Sequence, residues 1–174
     1  MQEALLVVDM QQGFVKPPCE RIISPIISLI KHFTAAHRPV AFTQFINPAY
    51  SNFEQLMQWQ KLRHSAETDI IPVLQPLATN IFVKHQYSAF TPAFEYFLQQ
   101  HRVQKLYLCG IATESCVLKS AMDAFERGLH PVVVQDAVYS HASDAHHAAG
   151  LLVLARNIGE TQLVTVSDTL QSLF

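Results

Sequence analysis

Residues 104–128, QKLYLCGIATESCVLKSAMDAFERG, decide how the fold is read. The segment opens on a short apolar run, 104–110, that reads as a buried strand. Residues 114–127 then carry Val117, Leu118, Ala121 and Phe125 on one side at helical spacing, and Gly128 closes the helix as a C-terminal cap. The same alternation runs outward in both directions. Upstream, 4–8 (ALLVV) reads as a strand and 22–36 as a helix, with Ile23, Ile26, Ile27 and Ile30 in helical register. Residues 39–45 read as a strand, 53–62 as a helix and 80–84 as a strand. Thr91-Pro92 opens a helix reaching Gln100, with proline early in the helix, where a missing N–H costs nothing. Downstream, 131–135 and 163–166 read as strands, 144–157 as a helix ending at Gly159, and Ser167-Asp168 as the cap of a last short helix. Continuous apolar strands between helices imply a parallel sheet covered on both faces, a three-layer α/β/α sandwich.

Length and composition agree with this and exclude other classes. The 174 residues predict a single domain, 1–174, large enough to bury a proper core. Lys+Arg 12 against Asp+Glu 14 gives a net charge of −2 with no basic run, which argues against a nucleic-acid partner. No apolar run approaches the ~18 residues of a membrane helix, and the opening Met1-Gln2-Glu3-Ala4 has no cationic leader segment. Cys19, Cys109 and Cys116 form neither a disulfide framework nor a CxxC pair, so a reduced, cytoplasmic protein is expected. Charged residues make up 15%, against roughly 25% in an average domain, and 15 glutamines partly fill the gap. Such a surface is a weak barrier to association and hints at a homo-oligomer.

In open parallel sheets, ligands bind beyond the carboxyl ends of the strands. The positions that matter are therefore Asp9, 45–48, Lys84, 110–116 and Asp136. The five glycines form no nucleotide-binding fingerprint, and H-E-x-x-H is absent. His141, His146 and His147 cluster loosely, as surface histidines near a helix start commonly do, and no metal is assigned to them. The long irregular stretch 47–80, with Pro72 and Pro76, is placed to cover a site.

Cys116 follows a strand and a Gly-Ile-Ala-Thr turn and falls in the first turn of a helix. A helix N-terminus lowers a thiol pKa and offers unpaired N–H groups as an oxyanion hole. A buried structural cysteine is the alternative reading. Asp9 and Lys84 each end an apolar strand, and each taken alone reads more readily as structural. Together the three form a system in which a carboxylate moves the thiol proton, a lysine holds the electrostatics, and a thiolate attacks a carbonyl.

Three segments bring these residues close to a known pattern: LLVVDMQQGF with Asp9, Gln11 and Phe14; VKHQYSAF with Lys84, Ser88 and Phe90; and LCGIATESCV from Gly110 to Val117. In this order they resemble the isochorismatase-like cysteine hydrolases, which include nicotinamidases and N-carbamoylsarcosine amidohydrolase. The resemblance spans nearly the whole chain. It implies a six-stranded sheet of order 3-2-1-4-5-6 and a catalytic triad of Asp9, Lys84 and Cys116. It also implies a cis peptide between Ile111 and Ala112, and an oxyanion hole from the amides of Ala112 and Cys116. Lys84 would then start two strands from Asp9, roughly 10 Å away at ~4.8 Å per strand.

One departure stands out. Nicotinamidases carry a metal-binding D-x-H after the second strand, where this chain places Phe45 and Asn47. A phenylalanine cannot ligate a metal, so no metal and no other cofactor are expected. Phe14, Asn47, Trp59, Tyr87 and Phe90 are the candidate pocket residues. The expected function is metal-independent hydrolysis of a small amide or ureide through a thioester. The alternatives are an isochorismatase-type vinyl-ether hydrolase and a non-catalytic binding protein retaining the fold. The resemblance also implies a dimer or tetramer, and a small-molecule substrate is the expected partner, with neither nucleic acid nor membrane.

Overall fold

The structure, a computed structural model, describes residues 1–172. Six parallel strands form one sheet in the order β3-β2-β1-β4-β5-β6. They are β1 (Glu3–Val8), β2 (Val40–Phe45), β3 (Ile81–Lys84), β4 (Lys105–Ile111), β5 (His130–Tyr139) and β6 (Leu163–Val164). The helices are α1 (Ile23–Ala35), α2 (Asn52–Gln55), α3 (Pro92–Gln100), α4 (Leu118–Glu126), α5 (Asp144–Ile158) and α6 (Val166–Ser172).

The central strand shows why the sheet is covered twice. Residues 4–8 are all fully buried. Successive side chains of a strand point to opposite faces. Leu5 and Val7 therefore join one core with Ile26, Leu29, Ile30 and Phe33 of α1. Ala4, Leu6 and Val8 join a second core with Phe94 and Leu98 of α3, Ala121 and Ala124 of α4, and Leu154 and Ile158 of α5. Each fully buried Leu or Ile contributes about 1.5–3 kcal/mol, so the uninterrupted apolar run is needed for both layers.

Four local expectations change. The helix expected over 53–62 shrinks to α2, because Gln58 and Leu62 take positive φ (54° and 60°), which a helix cannot continue through. Phe125 is exposed, and the buried stripe of its helix runs through Val117, Ala121 and Ala124. β5 extends to Tyr139 with a register shift against β4, so Asp136 is not at a strand end; its Oδ1 accepts from the Val166 N–H (2.8 Å) and anchors the start of α6. α6 begins earlier than expected, capped by Thr165, whose Oγ1 accepts from the Asp168 N–H (3.1 Å) while Asp168 Oδ2 accepts from the Thr165 N–H (2.9 Å). Among the described residues no helix is long and apolar enough to cross a membrane.

Candidate active site

The strand order reverses between β1 and β4, and their carboxyl ends open a crevice there. Gly110 lets the two strands close. It pairs with Val8 and has φ +109°, and a Cβ there would lie 2.2 Å from the Val8 carbonyl oxygen. The chain then passes through a cis Ile111–Ala112 peptide into a wide turn, Thr113–Val117, in which the Val117 N–H reaches back to the Ala112 carbonyl (3.1 Å). That turn sits against α5 at Gly150, where a Cβ would lie 2.8 Å from the Glu114 nitrogen. Cys116 is thus held on a wide turn ahead of α4 rather than in the first turn of a regular α-helix.

Asp9 follows β1 in a left-handed conformation (φ 48°) and is fully buried. Its N–H donates to Thr43 Oγ1 (3.1 Å), and the Thr43 hydroxyl donates to its Oδ1 (2.7 Å). Its other oxygen, Oδ2, lies 2.8 Å from Lys84 Nζ. The Lys84 ammonium also donates to the carbonyls of Gln86 (2.9 Å) and Tyr87 (3.1 Å) and to Cys116 Sγ (3.3 Å). The three residues singled out at separate strand ends therefore meet at one point.

The electrostatics follow from burial. Desolvation works against the Lys84 charge, yet the Asp9 carboxylate and the Cys116 sulfur outweigh it and raise its pKa above the ordinary value. Desolvation pushes the Cys116 thiol well up, with Asp9 adding to the rise and Lys84 opposing it. This reverses the expectation of a helix-lowered thiol pKa: burial beside Asp9 favours the neutral thiol. A buried Lys–Asp ion pair is tolerated because each charge meets the other, whereas either charge alone is strongly destabilising.

Above this point lies a cavity of about 320 Å³. Asp9, Ile111, Ala112 and Cys116 line its floor, with Ser115 beside the cysteine. The walls are aromatic: Phe14, Phe45, Phe53, Trp59 and Tyr87, with Met57. Phe14 and Trp59 are nearly parallel (12°, centroids 6.0 Å apart), and His141 packs on Phe14 (5.1 Å) at the rim.

Two expected pocket residues lie elsewhere. Asn47 is buried behind the wall. It donates to the carbonyls of Trp59 (3.0 Å) and Lys61 (3.1 Å) and accepts from Ser51, which pins the loop that presents Trp59. Phe90 belongs to the second core, beneath the Arg127 guanidinium (4.6 Å from its centroid). Gln11 is a clamp: its amide donates to the carbonyls of Phe45 (2.8 Å) and Thr68 (2.7 Å) and accepts from the Phe45 N–H (2.8 Å). Sequence reasoning missed Thr43, Phe53 and Met57; it held Ser115 within the 110–116 strand end and weighed His141 only as part of a histidine cluster. Thr43 lies inside a strand, but an alternation count from Phe45, at the strand end, would have placed it on the same face.

The residues present do not fit a metal. Phe45 offers no donor and the Asn47 amide is spent on its loop. His141, His146 and His147 diverge to the cavity rim, Ser143 and Thr113 respectively. Among the described residues no three His, Cys, Asp or Glu side chains are placed to hold a metal ion.

Fold and site together define a three-layer α/β protein with a thiol, a carboxylate and a lysine at the sheet's switch point. The Isochorismatase domain model matches residues 3–168, and the chain belongs to the isochorismatase family of hydrolases. It is 30% identical to maleamate amidohydrolase of Pseudomonas putida over 98% of this chain and 86% of that one. It is 26% identical to nicotinamidase 3 of Arabidopsis thaliana over 83% and 77% of the two chains. Among solved structures, a nicotinamidase of Bacillus subtilis superposes with a TM-score of 0.80 at 26% identity, covering 91% of this chain and 97% of that one.

Proposed function

We propose that the protein is a metal-independent cysteine amidohydrolase acting on a small, uncharged amide or ureide. One observation carries this reading: Lys84 Nζ contacts both Asp9 Oδ2 and Cys116 Sγ at the floor of an apolar cavity. The relatives named as nicotinamidase and maleamate amidohydrolase support cleavage of a C–N bond.

The reaction begins with Cys116 as a thiol. Asp9 takes the thiol proton as the sulfur attacks the amide carbonyl, so charge separation occurs only with substrate in place. The backbone N–H groups of Ala112 and Cys116 receive the developing oxyanion. Asp9 returns the proton to the departing nitrogen, the C–N bond breaks, and an acyl thioester remains on Cys116. Asp9 then draws a proton from water as its oxygen attacks the thioester; the C–S bond breaks, the acid is released, and Asp9 returns the proton to the Cys116 sulfur to restore the thiol. Lys84 stays paired with the Asp9 carboxyl group throughout.

The cavity supports the choice of substrate class. Its walls are apolar, it is large enough for a ring-sized molecule, and no Lys or Arg lines it. Lys84 is already engaged by Asp9. A vinyl ether carrying carboxylates would find no counter-charge there, and a pure binding protein has no use for a buried thiol–carboxylate–lysine set. Cys116→Ala should abolish ammonia release from a panel of amides and ureides, and a slow substrate should add its acyl mass to wild-type Cys116. Ammonia release by Cys116→Ala at the wild-type rate would falsify the covalent route.

A further inference from the structure

The aromatic walls supply contact area but little direction, so something else must orient the ligand. Among the lining side chains, Asp9 and Cys116 are committed to the chemistry. Ser115 shares the nucleophile's turn, and the Tyr87 hydroxyl donates to Met57 Sδ (3.7 Å). His141 is a polar lining side chain from the loop after β5, packed on Phe14. Among the described residues no hydrogen bond uses its ring nitrogens, so both face the cavity without a protein partner. Partial desolvation lowers its pKa, with Lys16 adding to that and Glu114 and Asp9 opposing, so its neutral form can both donate and accept.

Its position is held from both sides. The ring packs on Phe14, which stacks against Trp59. Its loop is tied to the nucleophile's own turn: Ser140 Oγ accepts from the Ala142 N–H (3.1 Å) and donates to Glu114 Oε1 (2.7 Å), two residues before Cys116. The Ser140–Glu114 bridge therefore fixes the span between His141 and the sulfur.

We propose that His141 determines specificity at this site, by hydrogen-bonding a polar atom at the end of the substrate remote from the scissile carbonyl. The preferred substrate is then a planar amide with a hydrogen-bonding far edge rather than a plain hydrocarbon ring. This rests on the amidohydrolase reading, and the experiment separates the two. Trp59 is the chain's single tryptophan and lines the cavity, so its fluorescence reports ligand directly. In a Cys116→Ala background, binding of benzamide, pyridine-3-carboxamide and 3-hydroxybenzamide is titrated with His141, His141→Phe and His141→Gln. With His141, at least one polar-edged probe should bind about tenfold tighter than benzamide, the effect of one net hydrogen bond. His141→Phe should erase that preference while benzamide affinity holds, and His141→Gln should retain part of it. Ser140→Ala, which frees the loop, should weaken the preference without removing a ligand contact. An equal preference in His141→Phe, no preference with His141, or no quenching by any probe overturns the proposal. Ammonia release by the Cys116 enzyme is read separately. Intact preference without hydrolysis overturns the amide reading and leaves the role of His141 standing.

Discussion

Lys84 Nζ lies 2.8 Å from Asp9 Oδ2 although their strands, β3 and β1, are separated by β2. The side chain covers the gap by crossing β2 at its end: Phe45 is the registered partner of Lys84, and the ammonium sits 5.2 Å from the Phe45 ring centroid. A strand spacing of ~4.8 Å makes the separation roughly 10 Å between backbones, and only an extended, fully buried lysine spans it. The Asp9–Lys84–Cys116 contact depends on that span.

The first prediction concerns the pair itself. Lys84→Met leaves a buried carboxylate without its counter-charge and should destabilise the fold by about 3–5 kcal/mol. Asp9→Asn with Lys84→Met should cost less than the sum of the two single changes. Urea unfolding of all four proteins gives the coupling, and strict additivity would show that the contact is energetically idle.

Alkaline pH supplies the second. The folded Lys84 pKa lies above its ordinary 10.5, so its contribution is complete below that pH and fades as pH rises through the folded value. Cys116 acts with the same sign: its folded pKa is raised above 9.0, so the unfolded thiol ionises first and unfolding gains as pH increases. Wild-type stability should fall through this range more steeply than that of Lys84→Met with Cys116→Ala, as measured by denaturant midpoints.

The third separates reactivity from turnover. The resting Cys116 thiol should alkylate with iodoacetamide more slowly than a free thiol at neutral pH, because burial and Asp9 oppose ionisation. Asp9→Asn removes that repulsion, so alkylation should speed up while kcat falls by a factor on the order of 10²–10⁴ with loss of the proton carrier. Parallel slowing of both rates would contradict the assigned role of Asp9.

Two backbone changes and one side-chain change make a fourth. Gly110→Ala places a Cβ against the Val8 carbonyl and should cost at least about 2 kcal/mol, whereas Gly128→Ala, with φ +76° and open space, should cost only about 1 kcal/mol. Thr43→Val strips Asp9 of a buried donor and should cost about 1–3 kcal/mol. Thermal unfolding ranks all three.

The fifth is assembly. The low charge content is joined by apolar residues exposed on α5, Leu152 (73%) and Val153 (43%), and we predict a homodimer or homotetramer. A monomer mass in light scattering at micromolar concentration would refute this.

The features legible in the sequence were those written in local pattern. A run of five apolar residues is buried on both sides wherever it lies, so residues 4–8 and 104–110 disclosed a parallel sheet. Asp9, Lys84 and Cys116 are polar residues that interrupt or follow such runs, so they stood out as strand-end groups. The helix expected over 53–62 failed because backbone reversals at Gln58 and Leu62 leave no mark in hydrophobic spacing.

The sequence by itself therefore determined the layered α/β architecture, the strand order through its family motifs, and which three residues to place at the strand ends. Only the tertiary structure decided that Lys84 reaches across β2, that Thr43 orients Asp9, that Asn47 and Phe90 leave the cavity and that His141 enters it. The physical reason is range. Strand burial depends on neighbours a few residues away, whereas cavity walls are assembled from loops whose course is set by contacts tens of residues apart, such as Asn47 with Trp59 and Ser140 with Glu114. The same range reversed the thiol: proximity to a helix start predicts a lowered pKa, and burial beside Asp9 raises it.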